Sequence, residues 1–308
     1  MQRQKLVLSA VITLVTAISM PIYQAEAKVL TFSNNPGETK SLSPRTIVPN
    51  LSEADELLQQ GLEQFNQKQF AAAIGVWQQA LNLYRASQDR RGEASVLALL
   101  GNGYSELGKY SKAIEYLQSG LAIAQSIPDP KLIGSIAFDT GENYFFLKKY
   151  VEAIQFYQQS LPMARQLNDR KLELATLFAL GDSYFLLGDN QSAIEFLQPA
   201  LEIARSSDDR RTIGRITNIL GSAYLLTNKP SQAIEFYQES LTIAREFQVR
   251  PAEGSILALI GMAYYQQGNF ALAVEFWQLS LPVLREVNDV ATVQKVEQML
   301  RSANNSSF

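Results

Sequence analysis

One register runs through the chain at a period of 40 residues. Glycine recurs at Gly61, Gly101, Gly141, Gly181, Gly221 and Gly261. At an ordinary glycine frequency of about 7%, five matches after the first arise by chance about once in 10⁶ trials. Alanine keeps the same spacing at Ala73, Ala113, Ala153, Ala193, Ala233 and Ala273, and leucine at Leu81, Leu121, Leu161, Leu201, Leu241 and Leu281. Tyr104, Tyr144, Tyr184, Tyr224 and Tyr264 each follow a glycine by three residues. Self-similarity of this kind requires a repeat architecture, in which each unit buries its apolar face on the next.

Within one unit the periodicity is helical. Val96, Leu97, Leu100 and Tyr104 fall at spacings of three and four; Gly108 and Lys109 interrupt, and Ala113, Ile114, Leu117, Leu121 and Ala124 restart the pattern. Each unit is therefore expected to be two antiparallel helices joined by a tight turn, which Gly188 and Gly268 mark in other units. Asp89, Asp129, Asp169, Asp209 and Asp289 stand where a carboxylate can accept from the free N–H groups of the next helix; Val249 has that place in one unit. Gly101 and Ala113 are placed at a helix crossing, where a larger side chain would push the pair apart. The tyrosines are expected to fill gaps between helices, and Pro162 and Pro282 to bend or end second helices.

Leu100-Gly101, Tyr104, Ala113 and Leu117 resemble the tetratricopeptide repeat, with its Leu-Gly, Tyr, Ala and aromatic-or-Leu positions. The resemblance covers about residues 53–292 and is to the 40-residue, long-helix variety found in kinesin light chains and in many bacterial, notably cyanobacterial, proteins. It implies an all-α fold, a right-handed α-solenoid of six helix-turn-helix repeats at approximately 53–92, 93–132, 133–172, 173–212, 213–252 and 253–292, with a capping helix at 293–303. Gln64 stands where tyrosine is expected, so the first unit reads as a cap. The closing proline of the usual repeat is absent, and Arg85, Arg165, Arg205, Arg245 and Arg285 recur instead.

Ahead of the repeats, a cationic start (Arg3, Lys5), an uncharged stretch from Leu6 to Met20 and Ala25-Glu26-Ala27 have the layout of a secretory signal peptide, with cleavage expected after Ala27. The alternative is an uncleaved anchor, for which the apolar run is shorter than the ~20 residues of a comfortable span. Residues 28–50, with Pro36, Gly37, Pro44 and Pro49, read as a flexible linker, and 51–303 as the solenoid. The expected destination is the periplasm, the extracellular space or a thylakoid-lumen-type compartment.

The chain has no cysteine and no histidine. Disulfides, thiolate metal sites and hydrolysis through a Ser–His or Cys–His pair are thereby excluded. No cofactor and no metal site are expected. A net charge of −3 lacks the basic surplus of a nucleic-acid binder. Paired carboxylates such as Asp139 and Glu142 offer an enzymatic reading, but acids at i, i+3 on a helix face are ordinary, and no catalytic residue is assigned.

The resemblance further implies that first helices line an inner, concave face. Its variable positions fall on Phe138, Phe145, Phe146, Phe178, Phe185 and Tyr265 as aromatics, on Asn102, Asp139, Glu142, Asp182 and Asn218 as polar groups, and on Arg215 as a lone cation. The third and fourth units should then form an aromatic, acidic centre for a protein or peptide segment with apolar and basic character. These aromatics read equally as helix-packing residues. Lys, Asn and Arg clamps for a C-terminal carboxylate are not matched, and the asparagine row of long-repeat relatives survives only at Asn102, against Glu142, Asp182, Ser222 and Met262. Arg90-Arg91, Lys131, Arg170-Lys171, Arg210-Arg211 and Arg250 form a second candidate, a basic row at the junctions. It is either solvated turn chemistry or a ridge for an effector, an acidic partner or anionic lipid. Membrane contact is expected only through that row or an uncleaved leader.

Overall fold

The computed structural model describes residues 49–304. The leader read over 1–27 and all but the last two residues of the linker lie outside the described residues. Thirteen helices and no strand occur among the described residues: α1 (Pro49–Asn66), α2 (Phe70–Ala86), α3 (Arg90–Glu106), α4 (Tyr110–Ala124), α5 (Pro130–Phe146), α6 (Tyr150–Gln166), α7 (Arg170–Leu186), α8 (Asn190–Ser206), α9 (Arg210–Leu226), α10 (Pro230–Glu246), α11 (Arg250–Gln266), α12 (Phe270–Glu286) and α13 (Val290–Asn304). Consecutive helices pair, which makes the repeats of an α-solenoid, six pairs followed by α13. First helices begin at residues 90, 130, 170, 210 and 250, three residues ahead of the expected repeat starts. Packing divides the chain after Ser183, inside α7, into two units that are described separately.

In the unit ending at Ser183, glycine marks the helix crossing. A Cβ on Gly101 would lie 2.5 Å from Leu117 Cγ and 3.2 Å from the Ala113 carbonyl oxygen. The second helix therefore rests directly on the backbone of the first. Trp77 and Tyr157 hold the position of Leu117 in their own hairpins and are fully buried. Burial of rings this large adds to the cohesion of a hairpin, at about 25 cal/mol per Å² of apolar surface. The Trp77 indole N–H donates to the Leu58 carbonyl at 3.3 Å, which satisfies its one polar atom.

In the unit starting at Tyr184 the same relationship joins Gly221 to Tyr237 and Gly261 to Trp277. The Trp277 N–H donates to the Ala258 carbonyl at 3.1 Å, and the Tyr237 hydroxyl to Ser222 Oγ at 3.0 Å.

The repeated tyrosines do not simply fill gaps. Each stacks on a ring twelve residues later in the second helix of its own hairpin: Tyr104 on Tyr116, Tyr144 on Phe156, Tyr184 on Phe196, Tyr224 on Phe236 and Tyr264 on Phe276, at 5.3–5.4 Å. The expected caps are present at all five positions: Asp89, Asp129, Asp169, Asp209 and Asp289 accept from the N–H three residues on, at 3.0–3.1 Å. Asp189 and Asn269 cap second helices in the same way, at 3.1 and 3.3 Å.

Turns within hairpins place one residue in the left-handed region. Gly108, Gly188 and Gly268 take it with φ of +71° to +82°, and Lys68, Lys148 and Asn228 take it at 59–61°. Gln88, Asn168, Asp208, Gln248 and Asn288 do the same between hairpins. Pro128 occupies that register in the remaining junction, and its ring forbids positive φ. The chain there turns early, α4 ending at Ala124 with the Ile127 N–H bonded to the Ala124 carbonyl at 3.0 Å. Pro162 and Pro282, in contrast, do not end their helices: α6 and α12 run on to Gln166 and Glu286. The turn after each proline buries Ala164 or Leu284, and that packing outweighs one lost backbone hydrogen bond.

Candidate functional site

The first-helix positions of the unit ending at Ser183 assemble around a buried acid. Asn102 on α3 donates through Nδ2 to Asp139 Oδ2 on α5 at 3.0 Å. Asn143, one turn further along α5, donates to the Asp139 carbonyl at 2.8 Å. Burial pushes the Asp139 carboxyl up from 3.8 to about 7, and the Asn102 hydrogen bond opposes only part of that rise. Glu142 and Asp182 belong to the same neighbourhood. Burial first, and then the charges of Glu142, Asp182 and Asp139, hold the Tyr157 hydroxyl well above its ordinary range. Tyr150 is raised by burial and by Asp182. The charges of three acids thus act on one buried tyrosine. Among the described residues no group of three or more acids is arranged to hold a metal ion.

The aromatics divide by depth. Phe138 is 4% exposed and lies tilted against Tyr157 at 5.6 Å; Phe178 is 5% exposed. These two rings are interior packing, because the position they hold on the first helix faces the neighbouring helix. Phe145 and Phe146 are half-buried. Phe145 stands edge-on to Tyr150 at 5.4 Å, and Phe146 stacks on Tyr110 at 5.1 Å. The accessible part of the acidic centre is therefore Asn102 and Glu142, both half-buried, with the rims of Phe145 and Phe146 beside them.

In the unit starting at Tyr184, Phe185 is buried at 5% exposed and Asn218 at 6%, while Arg215 and Tyr265 are half-buried. Tyr265 packs edge-on to Phe270 at 5.1 Å and against Trp277 at 5.6 Å. Arg215 and Asn218 lie one turn apart on α9; Phe185 and Tyr265 belong to α7 and α11.

The basic row is laced with carboxylates. Glu93 holds Arg85 at 2.9 Å and Arg90 at 2.8 Å; Glu173 holds Arg165 at 3.1 Å and Arg170 at 2.9 Å; Glu253 holds Arg245 at 2.9 Å and Arg250. Arg91 pairs with Asp129 at 2.8 Å, and Arg210 with Glu246 at 2.9 Å. Alternate junctions carry the glutamate, since Ile133, Ile213 and Val293 hold its register in the others. An 80-residue alternation was thus legible beneath the 40-residue one. It turns much of the row into structural ion pairs.

The family model for the tetratricopeptide repeat matches residues 57–126, 132–206 and 172–246, more than half of the chain. The chain belongs to the tetratricopeptide-repeat family. No curated protein sequence matches this tetratricopeptide-repeat protein. Its fold is similar to a signal-transduction ATPase with numerous domains from Pyrococcus horikoshii that carries a tetratricopeptide-repeat sensor (TM-score 0.67, 17% identity, 83% of this chain). The match spans 39% of that protein's length. The apo form of RapI is similar over 82% of this chain and 98% of its own, at a TM-score of 0.60 and 16% identity. Kinesin light chain-type repeats of Podospora anserina are similar over 66% of this chain and 99% of theirs, at a TM-score of 0.55 and 16% identity. A Rap protein solved in complex with competence and sporulation factor covers 84% of this chain at a TM-score of 0.51 and 16% identity, matching 77% of that protein. Tetratricopeptide-repeat proteins are generally non-enzymatic interaction scaffolds, and this chain shares their fold.

Proposed function

We propose that this protein is an exported, non-enzymatic scaffold that holds a protein or peptide segment on its first-helix face, centred on α3, α5 and α7. The observation that carries the reading is the Asn102–Asp139 hydrogen bond between α3 and α5, with the half-buried Glu142 one turn along α5 from that acid. Half-buried phenylalanines beside those acids suit apolar side chains, and the negative charge suits a basic residue next to them. The Rap protein with its bound factor is a precedent for ligand binding on this fold. Export rests on the composition of residues 1–27, and the non-enzymatic reading on the lack of histidine and cysteine.

The test is crosslinked affinity capture from the native envelope fraction, comparing wild type with the double variant Glu142→Gln, Phe145→Ala. Wild type should enrich a defined partner, and the variant should lose it while keeping its helical circular dichroism. Enrichment that is unchanged in the variant counts against the site. Mass spectrometry of the purified N-terminus checks export: a mature chain starting at Lys28 is expected, and one starting at Met1 would overturn the cleavage.

A further inference from the structure

A recess of about 770 Å³, solvent at its mouth included, opens between α9, α10 and α11. Arg211 and Asn218 come from α9, Ile243 and Phe247 from α10 and the turn after it, and Ala252 and Ile256 from α11. Gly214 brings Ile243 onto the α9 backbone: an added Cβ would meet Ile243 Cγ2 at 2.8 Å.

The repeat supplies internal controls for this place. At the register of Asn218 the neighbouring repeats carry Ala98, Phe138, Phe178 and Ala258. Phe247 replaces Ser87, Ile127, Leu167, Ser207 and Val287. Arg215, which also lines the recess, replaces Ser95, Ser135, Ala175 and Ser255. Departures from the repeat thus coincide at one recess, where plain packing would be served by the residues used elsewhere.

Two observations say what the recess lacks. Asn218 is 6% exposed, and its Oδ1 accepts no hydrogen bond. A buried acceptor left in this way is costly until a donor reaches it. Arg211 lies over the Phe247 ring at 4.9 Å, and no carboxylate pairs with it among the described residues. Arg215 and Ser240 add polar groups to the lining, and the rest of the wall, from Ile243 to Ile256, is apolar.

We infer that this recess binds an acidic peptide segment, in which a carboxylate lies against Arg211, a backbone N–H donates to Asn218 Oδ1 and a branched aliphatic side chain packs on Ile243, Ala252 and Ile256. The site is built from α9, α10 and α11 and takes the charge opposite to that suited to the acidic centre. It rests on the scaffold reading, yet its test needs no natural partner, so a negative result here leaves the capture experiment standing.

The test is titration of the full chain, observed through isoleucine methyl resonances, with blocked Leu-Glu, Leu-Gln and Leu-Lys dipeptides and with hexanoate. Leu-Glu should shift Ile243 and Ile256 saturably, Leu-Gln about fivefold more weakly, and Leu-Lys not at all. Arg211→Gln, an exposed substitution that leaves folding intact, should bring Leu-Glu down to Leu-Gln. Asn218→Phe, which installs the residue of the third and fourth repeats, should abolish the shifts while the thermal midpoint holds or rises. Arg91→Gln, at the same register in another repeat, should change nothing. Equal binding of Leu-Lys, hexanoate matching Leu-Glu, or no shift at these methyls would overturn the proposal.

Discussion

Asn102 and Asp139 join two successive first helices through one hydrogen bond of 3.0 Å, and the acid it holds is buried. Burial raises that carboxyl from 3.8 to about 7. In the unfolded chain the proton leaves near the ordinary value; in the folded chain it stays on until about 7. Across that window the folded state binds the extra proton, so this group lowers stability as the pH rises, by up to a few kcal/mol. Asp139→Asn should remove that share of the pH dependence. Urea midpoints near pH 4.5 and pH 7.5 check it: the variant should gain on wild type at the higher pH. An unchanged difference between the two would refute the buried-acid assignment.

Gly221 lies under Tyr237, with a Cβ position 2.7 Å from two ring carbons. The ring is fully buried and its hydroxyl is engaged by Ser222, so it has nowhere to move. Gly221→Ala should destabilise by about 1–3 kcal/mol, despite the higher helix propensity of alanine. Gly75, whose Cβ would meet nothing within 4 Å, is the control, and Gly75→Ala should be neutral or stabilising. Thermal melts of the pair separate crossing geometry from propensity.

The hairpin turns offer a paired substitution. Gly188 sits at φ +82° and Lys148 at +59°, at equivalent places. Gly188→Ala should cost about 1–2 kcal/mol, because a Cβ is disfavoured there. Lys148→Gly should stabilise by less than that, since the unfolded chain gains freedom as the strain is relieved. Chemical denaturation of both variants gives the comparison.

Glu173 holds Arg165 and Arg170 together, yet the arginine side chains are 55% and 73% exposed. Solvent screening discounts such pairs, and Glu173→Gln should cost under about 1 kcal/mol. The loss should shrink at about 1 M salt, where the Debye length falls to about 3 Å. A loss that persists in high salt would mean that the glutamate acts through packing.

Much of the fold was legible in the sequence because the decisive contacts are local. Gly101 meets Leu117 sixteen residues on, Tyr104 meets Tyr116 after twelve, and Asp89 caps a helix three residues away. Regular spacing in the sequence therefore becomes regular spacing in space. Interior prolines were the exception, since the burial of Ala164 and Leu284 is not a local property. The candidate site was legible only in part. Asp139, Glu142 and Asp182 were identifiable as first-helix positions, but the depth of Phe138 and Phe178 was not, because exposed and buried faces of one helix share the same period. Glu93, Glu173 and Glu253 went unread as partners of the arginines although their 80-residue spacing was visible.

By itself, then, the sequence determined the helical hairpin, its repeat, its caps and its glycine crossings, all set by neighbours within a few turns. Tertiary structure alone decided which carboxyl loses its water, which arginines are neutralised, and that Asn218 keeps an unmet acceptor in a recess beside Arg211. Those outcomes depend on desolvation, and a side chain is desolvated by residues some 40 positions away that pattern alone does not rank.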